Sequence, residues 1–396
     1  MSRSPEEHLD AVRALLPGPR TERVNLDAAL DRRLAEAVTA RWDSPRFDNS
    51  QMDGYAVGPA HLGGGIFPVG PTLAAGTDPD QLYPLGLRSR VCPIMTGARL
   101  PRGTAAVVPV ERTDEGVFTG EGRSVGLPPA TAGDFLRARG SDIAAGTEII
   151  PAGTVLGPVH LGLLASQSIA GVTVFRRPRI VIVTGGTEIT STPSAATIPD
   201  ANGPLLRGLA ARTGMEILEH LRTNDNPARL ALDLEHCINR HQPDAIITSG
   251  GISLGRFEVV RQVLETTPGA WFGHVDQQPG GPQGLALLHG TPVICLPGNP
   301  VSTLVSFVLF LPAGFSHRPW NCVDAVIDRE VTGLPGGREQ FLRGTFVGVD
   351  TQLVATPLDG TGSHLLARAA GATCLIRVPA GTTVEAGSAV RIYPLP

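Results

Sequence analysis

From Pro178 onward the chain alternates apolar runs of strand length with amphipathic stretches of helical spacing: RIVIV, PLLRGLAARTG, MEILEHL, ARLALDLEHCINR, DAIITS, RFEVVRQVLETT, AWFGHV, TPVICL and the segment after Pro300. Such a β/α series predicts an open, mostly parallel, doubly wound sheet with helices on both faces, here over 178–320. The same architecture says where a ligand belongs, because loops at the carboxyl ends of parallel strands gather in one crevice.

The rest of the chain has a different texture. Residues 5–16 and 24–40 carry apolar side chains at three-to-four spacing (Leu9, Val12, Leu15 and Leu16, then Ala28, Leu30, Leu34, Ala37 and Val38) and are predicted as helices. Residues 41–134 contain short β-like runs split by Gly and Pro, which predicts a small β unit. Residues 135–177 are mixed, with a helix-like LGPVHLGLLASQSI, so 41–134 reads as an insertion into a helical frame of 1–40 and 135–177. The tail, 321–396, is rich in Val, Thr and Gly and predicts a small terminal β domain.

The chain has 396 residues, and at roughly 150 residues per domain it is expected to form two to four units. A net charge of -4 leaves no overall basic field for nucleic acid or an anionic membrane, and only 5% aromatic content offers no base-stacking platform. The N-terminus lacks the apolar core of a signal peptide, and VSTLVSFVLFL (301–311) is too short to cross a bilayer, so a cytoplasmic protein is expected. Cys92, Cys237, Cys295, Cys322 and Cys374 include no Cys-x-x-Cys pair, and the histidines are scattered; neither a zinc site nor a disulfide framework is expected.

Three loops carry the chemistry. In DAIITSGGISLGRFE an apolar strand runs into Ser249, Gly250, Gly251 and Ser253 ahead of a helix; this reads either as a phosphate or oxyanion cradle or as a tight strand-to-helix turn. In CLPGNPVSTLVSF, Pro297, Gly298, Asn299 and Pro300 form a stiff turn before a helix that Ser302 or Thr303 would cap. VTGGTEI places Thr184, Gly185, Gly186 and Glu188 at the corresponding end of the first strand. Asp48, Asp53, Asp142, Asp200 and Glu258 all lie near turns; each reads as a turn or cap residue or as a hard oxygen ligand for Mg²⁺.

These stretches, in this order, resemble the MoeA and gephyrin E-domain family of molybdopterin molybdenumtransferases. The resemblance rests on FDNSQMDGYAV, IMTGARLPRGTAAVVPVE, RARGSDIAAGTEI, RRPRIVIVTGGTEI, DANGPLL, TSGGISLG, LPGNPVS, GREQFLRG and GSHLL. It implies a MogA-like molybdopterin-binding α/β domain, a helical frame with an inserted β domain, and a C-terminal β-barrel-like domain. The implied reaction inserts molybdenum from molybdate into adenylylated molybdopterin, with Mg²⁺ and release of AMP. The pterin would lie over 184–188, 248–253 and 297–302, reached by Ser363. Asp53, Thr96, Asp142, Glu188 and Asp200 match the family's catalytic segments, and Asp200 and Glu258 are the implied metal ligands. The implied assembly is a homodimer with Asp53 presented to the partner's α/β domain. A molybdopterin adenylyltransferase and molybdoenzymes are the implied further partners.

Within FDNSQMDGYAV, Phe47, Met52 and Tyr55 are expected to anchor the loop, leaving Asn49 and Asp53 to face the site. The chain departs from the family where K-P-G-K-P is replaced by Gln278-Pro279-Gly280-Gly281-Pro282, which removes two point charges suited to an oxyanion. Arg256 is a candidate replacement. The departure leaves two functions in view: a working transferase, or a weakened paralogue that binds the pterin as a carrier or scaffold.

Overall fold

The computed structural model describes residues 2–185, 189–190, 198–223, 226–252 and 258–396. The chain forms two compact units, one of Met1–Arg20 with Arg176–Pro396 and one of Thr21–Phe175.

The first unit is built on a six-stranded sheet in the order Glu216–Thr223, Arg179–Gly185, Ala245–Ser249, Thr291–Leu296, Pro282–Leu288, Trp271–His274. The first four strands are parallel, Pro282–Leu288 runs antiparallel to them, and Trp271–His274, antiparallel to Pro282–Leu288, returns to the common direction. The sheet is thus mostly parallel, with a hairpin at one edge that was not expected. Its signal is His289-Gly290: both residues take positive φ, 48° and 80°, which suits a two-residue hairpin turn between LALL and TPVICL.

Strand alternation explains how both faces are covered. Ile180, Ile182, Ala245, Ile247, Ile294 and Leu296 point into a core shared with helices Pro5–Leu15, Asn202–Arg212 and Pro300–Ser316. Val181, Val183, Ile246, Val293 and Cys295 point the other way, toward helices Pro227–His241 and Val259–Leu264. Cys295 is fully buried, which pushes its thiol up to about 12 and leaves it protonated.

Helix Pro5–Leu15 starts with a capping box in which Ser4 Oγ accepts from Glu7 N–H and Glu7 Oε2 accepts from Ser4 N–H. Its stripe of Leu9 and Val12, extended by Leu16, packs on helix Pro300–Ser316, which is apolar on nearly every face. Residues 1–20 of the stretch assigned to the frame therefore pack with the α/β unit. The C-terminal region closes a five-stranded barrel: Glu339–Val349, Gln352–Pro357, Val323–Ile327, Ala389–Pro394 and Cys374–Val378, which pairs back to the first. Gln277–Gln278 pairs with Glu339–Gln340, so one short ladder ties the sheet edge to the barrel.

In the second unit, residues 24–40 do not form the expected helix. Thr21–Asn25 is a strand paired with Gly171–Phe175, Leu26–Ala28 is a single 3₁₀ turn, and Val38–Thr39 pairs with Glu148–Ile150. Long-range pairing wins over helical spacing here, and Asp31 breaks the segment with φ of 59°. The helix read in LGPVHLGLLASQSI is present as Pro158–Ser166. Among the described residues no helix is long and apolar enough to cross a membrane.

A Cβ on Gly314 would lie 2.8 Å from Val12 Cγ1, so Gly314→Val is expected to destabilise the first unit by about 1–3 kcal/mol through overpacking. Gly208, in helix Asn202–Arg212, has open space around it, and Gly208→Ala is expected to stabilise by about 1 kcal/mol. Denaturant unfolding of the two variants checks both signs.

Candidate active site

The chain steps from strand Arg179–Gly185 outward to Glu216–Thr223, then returns to place Ala245–Ser249 on the other side of the first. This reversal is a topological switch point, where a doubly wound sheet opens a crevice. A cleft of about 1180 Å³ lies there, lined by Thr184 and Gly185, by residues 198–202, 249–252 and 297–300, and by the turns at 277–282 and 361–364.

Gly250 takes φ of 92°, and its backbone packs directly on Gly298: a Cβ on Gly298 would come within 3.2 Å of Gly250 Cα. Only glycine allows both the dihedral and the approach. Gly250 N–H donates to Leu296 O at 3.1 Å, so this amide joins the two loops and is not presented to the cleft. Ser249 is likewise committed. Its hydroxyl lies 2.9 Å from Thr303 Oγ1, and Thr303 donates to Pro297 O at 2.7 Å. Pro297, Gly298, Asn299, Pro300 and Ser302 border the cleft, and Asn299 Nδ2 donates to Ser363 Oγ at 3.0 Å, bringing the barrel-side loop to the same rim.

Thr184 and Asp200 meet. Thr184 Oγ1 donates to Asp200 Oδ2 at 2.9 Å, and Asp200 Oδ1 accepts from Gly203 N–H at 2.9 Å at the start of helix Asn202–Arg212. His220 Nε2 stands 2.7 Å from Thr184 Oγ1, and His220 Nδ1 stands 3.3 Å from Arg207 Nη1. With the Thr184 proton given to Asp200, His220 donates through Nε2 and accepts through Nδ1. Burial, assisted by the Arg207 and Arg222 guanidiniums and opposed by Asp200, lowers the His220 pKa and keeps the ring neutral. Arg222 Nε lies 3.7 Å from Asp200 Oδ2, although its side chain is half exposed.

Asn202 reaches Gly298 O at 2.6 Å and links the Asp200 turn to the proline loop. Sequence reasoning missed His220, Arg222 and Asn202 as site residues. The available signal was the i, i+2 placement of His220 and Arg222 in MEILEHLRT, which sends both to one face of a strand beside Thr184. Glu258 lines the cleft. Gly186, Glu188, Ser253 and Arg256 lie outside the described residues.

Two further candidates meet in the other unit. Asp53 Oδ1 accepts from Thr96 N–H at 2.6 Å and from Thr96 Oγ1 at 2.7 Å. The backbone amide, then the hydroxyl, hold the exposed Asp53 carboxyl below its ordinary pKa. Asp142 is exposed in the same unit. The loop is anchored differently from expectation. Tyr55 is buried and its hydroxyl accepts from Thr119 N–H, but Phe47 is 40% exposed and Asn49 is 4% exposed. Asn49 turns inward because Asn49–Ser50 pairs with Leu136–Arg137 and its amide donates to Phe47 O. Backbone pairing holds this end, and Phe47 is not needed as an anchor.

Gln278 and Gly281 line the cleft, and a side chain on Gly281 would begin 2.9 Å from His274 Nδ1. His274 therefore fills part of the space that a lysine at 281 would need.

Three family models match in tandem: "MoeA N-terminal region (domain I and II)" over 3–168, "Probable molybdopterin binding domain" over 179–315, and "MoeA C-terminal region (domain IV)" over 329–395. The chain belongs to the MoeA family. Molybdopterin molybdenumtransferase 2 of Mycobacterium tuberculosis is 34% identical, over 99% of this chain and 100% of the relative. Molybdopterin molybdenumtransferase of Nostoc sp. is 30% identical, over 95% of this chain and 89% of the relative. The solved structure of the molybdopterin biosynthesis moea protein from Pyrococcus horikosii superposes with a TM-score of 0.81 at 25% identity, covering 100% of both chains. In this MoeA family member the match to the molybdopterin-binding model spans the strands and loops that form the switch point.

Thr96→Val removes one donor to Asp53 and loosens the other. The Asp53 carboxyl pKa, followed by carbon-detected NMR titration, is expected below the ordinary aspartate value in the parent and raised in the variant. Because the folded pKa is depressed, the stabilisation is present above the unfolded value and is lost as pH falls through the folded one; Thr96→Val shrinks that loss.

Proposed function

We propose that the chain is a molybdopterin molybdenumtransferase, which moves molybdenum from molybdate into adenylylated molybdopterin and releases AMP. The observation that carries this reading is the convergence of Thr184, Gly250, Gly298, Asn299, Asp200 and Ser363 on one cleft at the switch point of a MoeA family chain. The glycines let a large planar ligand approach the backbone, and Asn299 with Ser363 offers a polar rim for its phosphate. Adenylylated molybdopterin is anionic and molybdate is an oxyanion, so their meeting needs positive charge or a cation.

Mg²⁺ belongs to this proposal. Asp200 and Glu258 both border the cleft and are hard oxygen donors of the kind Mg²⁺ prefers. Each Asp200 oxygen already accepts one hydrogen bond, and each keeps a further lone pair for a ligand. Bound there, the ion would neutralise charge between the phosphate and the oxyanion. Thr184 and Gly203 fix the carboxylate, and neutral His220 fixes Thr184, so the acceptor geometry is set before substrate arrives. Gly185, Gly186, Ser249, Gly251, Ser253, Pro297, Pro300 and Ser302 complete the proposed pterin-binding set, and Glu188 belongs to the proposed catalytic residues.

The proposal includes a cytoplasmic homodimer in which one protomer presents Asp53, Thr96 and Asp142 to its partner's cleft. The exposed, anionic, rigidly held Asp53 suits that role. A molybdopterin adenylyltransferase would supply the substrate and molybdoenzymes would take the product.

The direct test supplies purified protein with adenylylated molybdopterin, molybdate and Mg²⁺, and measures AMP release with reconstitution of an apo-molybdoenzyme. Turnover is expected, and Asp200→Asn is expected to lower it about 10²- to 10³-fold, the scale of losing one preorganised electrostatic group. Pterin binding without turnover would leave a carrier in its place.

Gln278→Lys returns one point charge to the cleft. It is expected to lower the apparent KM for molybdate, with a gain that shrinks as ionic strength rises. Steady-state kinetics at two salt concentrations read both effects.

A further inference from the structure

A second group of chemistry-bearing side chains lies away from the cleft, on the sheet face covered by helix Pro227–His241. Cys237 and His241 are four residues apart on this helix and therefore share a face. Glu219 comes to them from strand Glu216–Thr223. His241 Nε2 lies 2.8 Å from Glu219 Oε2, Cys237 Sγ lies 3.5 Å from the same oxygen, and ligand atoms of all three fall within 4.8 Å of one another.

We propose that Glu219, Cys237 and His241 form a binding site for a divalent transition metal ion of the zinc class. With metal–sulfur bonds of about 2.3 Å and metal–nitrogen or metal–oxygen bonds of about 2.0 Å, the edges of a tetrahedral site are roughly 3.3–3.5 Å. The Cys237–Glu219 separation already has that length, and the His241–Glu219 pair needs to open by only a few tenths of an ångström. A thiolate and an imidazole select zinc over the hard ions Mg²⁺ and Ca²⁺. Cys237 is buried, whereas Glu219 and His241 are partly exposed, so the ion enters from solvent and keeps a water in its fourth position.

Without metal the arrangement is a His241–Glu219 hydrogen bond beside a small buried thiol. Burial first, then Glu219, pushes the Cys237 thiol up to about 12. An incoming cation reverses this balance: M²⁺ bonds to Cys237 Sγ as the S–H proton leaves to solvent, with no change of oxidation state. Glu219, next to His220 in the strand, points to the opposite face, so the site clamps the edge strand to its covering helix on the side opposite His220, Arg222 and Asp200. This site departs from the expectation, drawn from cysteine spacing and scattered histidines, of no zinc site, and is independent of the transferase assignment.

The test titrates the full-length protein with Co²⁺. A one-to-one thiolate-to-cobalt charge-transfer band in the near ultraviolet is expected, displaced by Zn²⁺. Cys237→Ala is expected to abolish the band, Cys322→Ala to leave it unchanged, and Glu219→Gln to weaken cobalt affinity about tenfold or more. Cobalt held only by the carboxylates of the cleft gives no such band. Absence of the band in the parent protein, or its survival in Cys237→Ala, overturns the proposal. If Cys237→Ala fails to fold by circular dichroism, the partly exposed Glu219→Gln carries the test, and unchanged affinity there overturns it equally.

Discussion

Contact between two glycine backbones sets the floor of the cleft. Gly250 and Gly298 come from loops at the ends of neighbouring parallel strands, and their approach lets Asn202 reach across to the carbonyl of Gly298. The hydroxyls of Ser249 and Thr303 then tie the Pro297 carbonyl from below. A side chain at Gly298 would crowd the Gly250 backbone, and one at Gly250 would be strained by its positive φ. The polar groups above them, Asn299, Ser363 and the Asp200 turn, take their positions from this contact.

A division of labour follows among groups that a sequence motif treats alike. In SGGIS, the Ser249 hydroxyl and the Gly250 amide serve the scaffold, bonding to the neighbouring loop and strand. Asp200 has the opposite setting. It is nearly buried, yet it sits at a helix start, accepts from Thr184 and Gly203, and has a neutral histidine and an arginine close by. Burial, helped by two nearby guanidiniums, disfavours protonation of the imidazole, which preserves a single direction of hydrogen bonding through Thr184.

Much of the fold was legible because the β/α period is long and regular and because its Gly and Pro loops fall at strand ends. The hairpin at Pro282–Leu288 was missed, since LALL is a short apolar run and only the His289-Gly290 turn marks it. The helix expected over 24–40 failed for a different reason: its two ends pair with the distant strands Gly171–Phe175 and Glu148–Ile150, which no local pattern reveals. At the site, residues inside glycine- and proline-rich loops were legible, whereas His220, Arg222 and Asn202 were not. Their role depends on which strand lies beside Thr184, and that is a property of sheet order. Phe47 and Asn49 show the same limit in the other unit, where a two-residue ladder outweighs the apolar or polar character of a side chain.

The short ladder between Gln277–Gln278 and Glu339–Gln340 bears on more than the joining of two folds. The backbone that carries Gln278 and leads to Gly281 is also a strand partner of the barrel, and Arg377, projecting from another barrel strand, grips both Glu339 and Glu6. The cleft wall on that side therefore belongs to a braced frame. Changes deep in the barrel, remote from the cleft floor, are therefore transmitted to the wall that Gln278 and Gly281 form.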